Sequence, residues 1–288
     1  MKNLKYAYLG PPGTFSEQAI FNYCSNYGGQ TEAYNSIRDI VEAVVNDEAE
    51  LGLLPLENSL EGSVNLSLDL LHQHQELKLY REIVLPIEQY LMAPPGTDRG
   101  RIEEIYSHPQ AIAQSGEYLA ENFPEAKIFN IESTAAAAKK VLNSSNKAAV
   151  GSIRLSEIYN LKIVAENLQG DLPNETRFVL TAKETKDFGK NNHLGEAAES
   201  EFKTSIICAP EVNEAGVLHR ILGKFAEENI DLTRIESRPS RRQLGEYIFY
   251  IDLKGACSDN DLARALEEVE KISSYFRILG SYPRTVIK

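Results

Sequence analysis

Thr176 and Arg177 place a hydroxyl beside a planar, permanently cationic fork at the end of the polar stretch Gly170-Asp171-Leu172-Pro173-Asn174-Glu175. The run Phe178-Val179-Leu180-Thr181 follows at once, and Asn174 adds an amide. Pro and Asn favour a turn and β-branched and aromatic residues an extended segment, so these groups belong at the mouth of a strand. Hydroxyl, amide and guanidinium together suit a small carboxylate that has to be held and protonated. Read alone, the stretch is a capped turn with one surface ion pair; the rest of the chain changes that reading.

Four other turns share its construction: Gly13-Thr14-Phe15-Ser16, Glu57-Asn58-Ser59, Ser107-His108-Pro109-Gln110 and Ser133-Thr134-Ala135. Each follows a strand-like run, carries hydroxyls or amides and opens a helix close by. In an open parallel sheet such turns lie at the carboxyl ends of the strands, where helix N-termini aim backbone N–H groups at anions. Any one of them is an ordinary N-cap. Five at one edge, one bearing an Arg, point to an anion cleft. The sequence has no phosphate-binding G-x-x-x-x-G-K-[ST] loop and no G-x-G-x-x-G turn, so nucleotide chemistry finds no support. His72 and His74 alternate on a helix and do not face each other, which argues against a metal pair. His108 lacks a Ser or Cys nucleophile motif, which disfavours hydrolysis; it reads either as a proton relay or as a helix-entry residue before Pro109.

The elements that must hold these turns alternate. Lys5 to Leu9 reads as a strand, and Gly10-Pro11-Pro12-Gly13 leads into a helix whose Thr14 and Glu17 have capping-box spacing. Ser36 opens an amphipathic helix through Val45, Glu50 to Leu54 forms an apolar strand, and a helix bearing Leu66, Leu70 and Leu71 follows. Leu77 to Ala93 is a long extended run broken only by Pro86, enough to cross between two lobes. Ile105-Tyr106, Lys127 to Ile131 and Ala148 to Val150 then alternate with helices, and Leu161 to Ala165 leads back to the Thr176 turn. Such alternation predicts parallel sheet with right-handed crossovers. A polar stretch precedes a strand at Thr204 to Cys208, a helix from Gly216 to Glu227, strands at Ile230 to Arg238 and Tyr247 to Leu253, a helix from Asp259 to Ile272 and a strand at Phe276 to Gly280. That βαββαβ order predicts a small ferredoxin-like sandwich. The expected domains are 1–183, with a first lobe of about 1–80 plus 163–183 and a second of about 84–160, then a linker 184–202 and a C-terminal domain 203–288.

The 288 residues, 42% of them hydrophobic, suffice for two cores. A net charge of −12 argues against nucleic-acid or acidic-membrane partners, which need basic patches, but leaves room for a small anion at a local cationic site. No apolar run is long enough to span a bilayer and no signal-peptide core follows Lys2 and Lys5, so a cytoplasmic protein is expected. Cys24, Cys208 and Cys257 are odd in number and lack C-x-x-C spacing, as for reduced packing thiols.

Gly10-Pro11-Pro12-Gly13-Thr14-Phe15-Ser16, Pro55-Leu56-Glu57-Asn58-Ser59, Ser107-His108-Pro109-Gln110, Ser133-Thr134-Ala135-Ala136-Ala137 and Asn174-Glu175-Thr176-Arg177-Phe178 resemble, in order, the motifs of the prephenate dehydratase family. Glu236-Ser237-Arg238-Pro239 resembles the signature of its regulatory ACT domain. The resemblance covers nearly the whole chain. It implies an α/β fold: a bilobal catalytic domain similar to type II periplasmic binding proteins, plus a βαββαβ ACT domain. It also implies decarboxylating dehydration of prephenate to phenylpyruvate without a cofactor or metal, and catalysis by Thr176 as the acid for the departing ring hydroxyl. Thr14, Ser16, Asn58, Ser59, His108, Gln110, Ser133, Thr134, Asn174, Arg177 and Phe178 would bind substrate. A threonine is a weak acid, so neighbouring donors must stabilise its developing alkoxide, with Arg177, Asn58, Ser59 and Thr134 as candidates; Glu57 would orient other groups.

For the C-terminal domain the resemblance implies L-phenylalanine as effector, bound between paired ACT domains of a homodimer or homotetramer. Asn213, Ala215, Gly216, Val217 and Leu218 at a helix entry, with Ile235, Glu236 and Ser237, would form that site. The carboxylate is expected on the amides of Gly216, Val217 and Leu218. Glu214-Ala215 stands where the family often has Lys-Pro, and Val217 where Ala is usual, which bears on affinity and selectivity. No chorismate-mutase-like helical region precedes Tyr6, so a single activity is expected. Arogenate dehydration and a non-catalytic amino-acid-responsive binding protein remain the alternatives, and a chain ending near Lys183, which keeps all five cleft motifs, is expected to keep dehydratase activity and lose its response to L-phenylalanine.

Overall fold

The structure, a computed structural model, describes residues 4–170, 173–186, 202–212, 214–240 and 245–287. The chain begins β1 (Lys5–Leu9), α1 (Phe15–Tyr27), β2 (Gln30–Tyr34), α2 (Ile37–Val45), β3 (Leu51–Asn58), β4 (Gly62–Ser63) and α3 (Asn65–Gln73). It continues through β5 (Leu77–Pro86), β6 (Tyr90–Ala93), β7 (Glu104–Ser107), α4 (Pro109–Asn122), β8 (Lys127–Asn130), α5 (Thr134–Val141), β9 (Lys147–Gly151), α6 (Ile153–Tyr159), β10 (Lys162–Ala165) and β11 (Glu175–Lys183). The C-terminal part is β12 (Phe202–Pro210), α7 (Val217–Glu227), β13 (Leu232–Pro239), β14 (Tyr247–Lys254), α8 (Asn260–Lys271) and β15 (Ser273–Val286).

Contacts divide the chain into two units. One holds the chain up to Asn65 together with Val84–Phe178; the other holds Leu66–Ile83 with Val179–Val286. In the first unit β1 pairs in parallel with β2 and β3, and β11 lies beside β3. A second sheet has the order β10-β6-β9-β7-β8, with β7 parallel to β8 and β9, and β6 antiparallel to β9 and β10. Both sheets are mixed, with helices in α/β order. The antiparallel pairs come from the return strand β10 and from β6, which the sequence pattern did not orient. β2 was not anticipated either, because Gln-Thr-Glu-Ala-Tyr is a polar, largely exposed edge strand with no alternation to betray it.

Parallel pairing puts the carboxyl ends of β1, β2 and β3 on one edge of their sheet, and those of β7, β8 and β9 on one edge of theirs. The turns after Leu9, Asn58, Ser107 and Asn130 follow these ends, on two sheets and not one, whereas Thr176 and Arg177 lie at the amino end of β11. The lobes are anchored by fully buried side chains, among them Tyr6, Ile20, Ile40, Leu51 and Leu53 under the first sheet and Leu91, Ile105 and Val150 in the second. Each such burial contributes about 1.5–3 kcal/mol.

In the second unit β13-β14-β12-β15 is antiparallel, with α7 and α8 packed on one face through Ile221, Phe225, Leu262 and Leu266. This is the expected βαββαβ sandwich. β15 runs well beyond the expected Phe276 to Gly280, because its continuation pairs with β12 as far as Pro283. On the sheet's other face lies α3. Tyr250 Oη donates to Leu68 O at 2.9 Å, and Arg277, 9% exposed, donates to Leu71 O at 2.7 Å and to His74 O at 3.3 Å. A cation on these carbonyls also offsets the negative end of the α3 dipole. The contacts group α3 and most of β5 with the C-terminal strands.

Among the described residues no helix is long and apolar enough to cross a membrane. The three cysteines are free thiols; burial pushes the Cys24 thiol up to about 11 and that of Cys208 up to about 12, while Cys257 is exposed. Because the thiolate is the nucleophile, iodoacetamide near neutral pH is expected to label Cys257 alone in the native chain and all three thiols after denaturation. Peptide mass mapping checks this; rapid native labelling of Cys208 would contradict it.

Candidate active site

The last residue of β3 and the first residues of β11 are stitched together. Ser59 N donates to Glu175 O at 2.9 Å, and Glu175 N donates to Ser59 Oγ at 3.0 Å. Asn58 Oδ1 accepts from the amides of Leu60 and Glu61 at 3.0 and 3.1 Å, which fixes its orientation. Its Nδ2 is therefore the donor toward β11, reaching Asn174 Oδ1 at 2.9 Å, Thr176 Oγ1 at 3.0 Å and Glu175 O at 3.2 Å. Since the Thr176 oxygen accepts from an amide, its own hydrogen is directed elsewhere. The group is a hydroxyl donor whose conjugate oxygen is already hydrogen-bonded. Of the donors expected around Thr176, Asn58 is in place, whereas the Ser59 hydroxyl is engaged with Pro173 O and Glu175 N.

Arg177 is 8% exposed and its Nη1 lies 3.7 Å from Glu57 Oε2. Successive strand residues point to opposite faces, and the pairings Asn58 with Thr176 and Glu57 with Arg177 follow that alternation. Any carboxylate approaching Arg177 would have to compete with Glu57. Phe178 is buried, 1% exposed, and packs in the core.

Asn174 Nδ2 donates to Gln114 Oε1 at 3.2 Å, and the same oxygen accepts from Gln89 Nε2 at 3.0 Å. Gln114 lies one helical turn beyond Gln110 on α4. Both line a cavity of about 460 Å³ with Leu60, Glu61 and Gln169. Neither Gln114 nor Gln89 was singled out from sequence. The signal for Gln114 was its i,i+4 spacing from Gln110 on a helix entered through Pro109.

The other turns are built as caps. Thr14 Oγ1 accepts from Glu17 N at 3.2 Å and donates to Leu9 O at 3.0 Å. The buried Glu17 carboxylate accepts from Gly13 N at 2.7 Å, one residue before the position a strict capping box would use, and from Tyr8 Oη at 3.2 Å. Burial and the neighbouring carboxylate push the Tyr8 phenol well above its usual range. Ser16 is buried in the first turn of α1. His108 caps α4, with Nδ1 accepting from Gln110 N at 3.4 Å, which is the helix-entry arrangement. Ser133 Oγ accepts from Ala136 N at 3.0 Å and caps α5, with Thr134 the first helical residue.

Gly13 and Gly151 both abut Leu155. Ser152 Oγ donates to Gly13 O at 2.7 Å, and a Cβ at Gly13 would lie 2.1 Å from Leu155 Cδ2. A Cβ at Gly151 would lie 2.5 Å from Leu155 Cδ1 and 3.1 Å from Thr134 Cβ. Ser152 was also missed, although Gly151-Ser152 repeats the strand, turn, helix construction. Leu155 is fully buried and Gly13 has φ of +94°, so Gly13→Ala is expected to cost about 1–3 kcal/mol and lower Tm by several degrees. An unchanged melting curve would show that the Leu155 notch yields freely.

In the C-terminal unit, Gly216 is the cap of α7 with φ of +86°, and Val217 N already donates to Glu214 O at 3.2 Å. That removes one of the three amides expected to face a carboxylate. Ala215 and Gly216 are exposed, and Leu218 packs on the domain core. Along β13, Ile235 and Ser237 are exposed while Glu236 lies on the other face, 3.8 Å from Arg234. Asn213 lies outside the described residues, as do Asp171 and Leu172.

Comparison with known proteins agrees over the same span. Residues 6–186 match the family model Prephenate dehydratase and residues 211–272 the ACT domain. A prephenate dehydratase of Lactococcus lactis subsp. lactis is 39% identical over 282 residues, 97% of each chain. The crystal structure of prephenate dehydratase from Arthrobacter aurescens in complex with L-Phe is 33% identical, with a TM-score of 0.83 over 98% of this chain and 90% of that one. GqqA, described as a novel type of quorum quenching acylase, is 27% identical with a TM-score of 0.84 over 98% of both chains. The ordered turns, the two-sheet first unit and these matches lead to one conclusion: the chain belongs to the prephenate dehydratase family and carries a C-terminal ACT domain.

Proposed function

We propose that this chain converts prephenate to phenylpyruvate, water and carbon dioxide, with Thr176 as the proton donor. The observation that carries the proposal is the contact of 3.0 Å from Asn58 Nδ2 to Thr176 Oγ1. As the ring carboxylate leaves as carbon dioxide, its bonding pair enters the ring, the bond to the ring hydroxyl breaks, and the Thr176 proton completes the water. Aromatisation supplies the driving force, so the protein has only to orient the dianion, donate a proton and stabilise the resulting alkoxide. Asn58 stands where that charge develops. Arg177, the capped turns at Thr14, Ser133 and Thr134, and the α4 entry at His108 and Gln110 supply the remaining substrate contacts.

L-phenylalanine is the proposed effector, bound at the α7 entry and the exposed face of β13 in a homodimer or homotetramer formed through the ACT domains. β13 ends its sheet with Ile235 and Ser237 exposed, as such pairing requires. Free thiols fit a reducing cytoplasm. Steady-state formation of phenylpyruvate tests the reading, with arogenate as the competing substrate and L-phenylalanine added. Turnover of prephenate is expected. No turnover of either substrate would leave only a binding protein, and faster turnover of arogenate would reassign the substrate.

A further inference from the structure

We infer that the ion pair between Arg238 of β13 and Asp69 of α3 is a positioning pair, making the catalytic turn answer to what binds at β13. Arg238 Nη2 lies 3.2 and 3.1 Å from the two Asp69 carboxylate oxygens, with Nε at 3.4 Å from Oδ1. The side chains are 20% and 13% exposed. A pair this secluded contributes little net stability, since desolvation offsets the attraction, but breaking it leaves a charge poorly solvated. It therefore acts as a two-position latch better than as a rivet.

Its placement gives the latch a direction. β13 alternates: Ile235 and Ser237 face out, whereas Arg234, Glu236 and Arg238 face inward. β13 is also the terminal strand of its sheet, held by β14 alone among the described residues, with a register shift between Leu232 and Arg234. A ligand on the outer face that changes the twist of this strand must move Arg238. The rest of α3 is held by fixed contacts, the Tyr250 hydroxyl on Leu68 O and Arg277 on the last carbonyls, so Asp69 is its ionic handle. Upstream, α3 starts at Asn65, directly after the β3–β4 hairpin whose Leu60 and Glu61 amides hold Asn58 Oδ1. A shift of α3 thus pulls, through the chain itself, on the residues that aim Asn58 Nδ2 at Thr176.

The inference rests on the proposed dehydratase activity and its response to L-phenylalanine. Asp69→Asn keeps the shape and removes the charge. The expected result is a kcat/KM within about threefold of wild type, L-phenylalanine still bound by calorimetry, and a response of the rate to saturating L-phenylalanine reduced at least about fivefold, the lower range of typical coupling. The charge swap Asp69→Arg with Arg238→Asp is expected to restore part of the response. A merely structural pair would instead lower Tm and leave the response intact. A wild-type chain that ignores L-phenylalanine overturns the regulatory reading and this inference together. A responsive wild type whose Asp69→Asn variant responds equally overturns the inference alone. Should the single variant fold poorly, a folded swap that gives no response does the same.

Discussion

Thr176→Val is expected to lower kcat by about 10²–10⁴-fold with little change in KM, because it removes a proton donor at nearly constant volume. The structure makes that loss interpretable. With a methyl in place of the hydroxyl, Asn58 Nδ2 still has Asn174 Oδ1 and Glu175 O as acceptors, so no buried donor is orphaned and the fold should hold. Thr176→Ser keeps both the hydrogen and the oxygen and is expected to retain much of the rate. Initial rates with prephenate, beside a thermal melt, distinguish chemistry from stability. A Val variant near the wild-type rate would remove Thr176 from the mechanism.

Asn58→Asp is the second large effect, and here the change introduces a negative charge. The two amides from Leu60 and Glu61 would still be accepted, but the atom turned toward Thr176 would become an oxygen facing two acceptors, Asn174 Oδ1 and Glu175 O, and would draw the Thr176 hydrogen onto itself. An anion beside a developing alkoxide opposes the reaction. Loss of a preorganised donor at such a position costs about 10²–10³ in kcat. The crowd of acceptors should raise the pKa of the new carboxyl, because its protonated form can donate where its ionised form cannot. The variant is therefore expected to recover rate as pH falls through that raised value, a limb absent from wild type. A pH–rate profile of both proteins checks this, and a variant as slow at low pH as at neutral pH would mean that Asn58 acts by shape rather than by donating.

Much of this protein was readable along the chain. Strand, turn and cap repeat with local chemistry that needs no partner: Thr14, Ser36 and Ser133 each accept from the amide three residues on, as their spacing from the following helix demands. Alternation of strands and helices predicted α/β sheets with parallel pairs, and the βαββαβ order predicted the C-terminal sandwich, because both follow from which short connections are sterically open. The motifs carried the family. The relations among distant side chains were not readable. Asn58 meets Asn174 and Thr176 only because β11 returns beside β3, and Gln114 joins them only because α4 turns that face toward Asn174.

The same limit explains the role of α3. From sequence it is a helix of the first lobe, yet its carbonyls and Asp69 are claimed by Tyr250, Arg277 and Arg238, far along the chain. Local sequence determines which groups a segment must satisfy, such as cap amides, strand edges and apolar faces. Which distant residue satisfies them is decided by packing, since hydrogen-bond and charge partners are chosen by proximity in the folded chain and carry no signature in either segment alone.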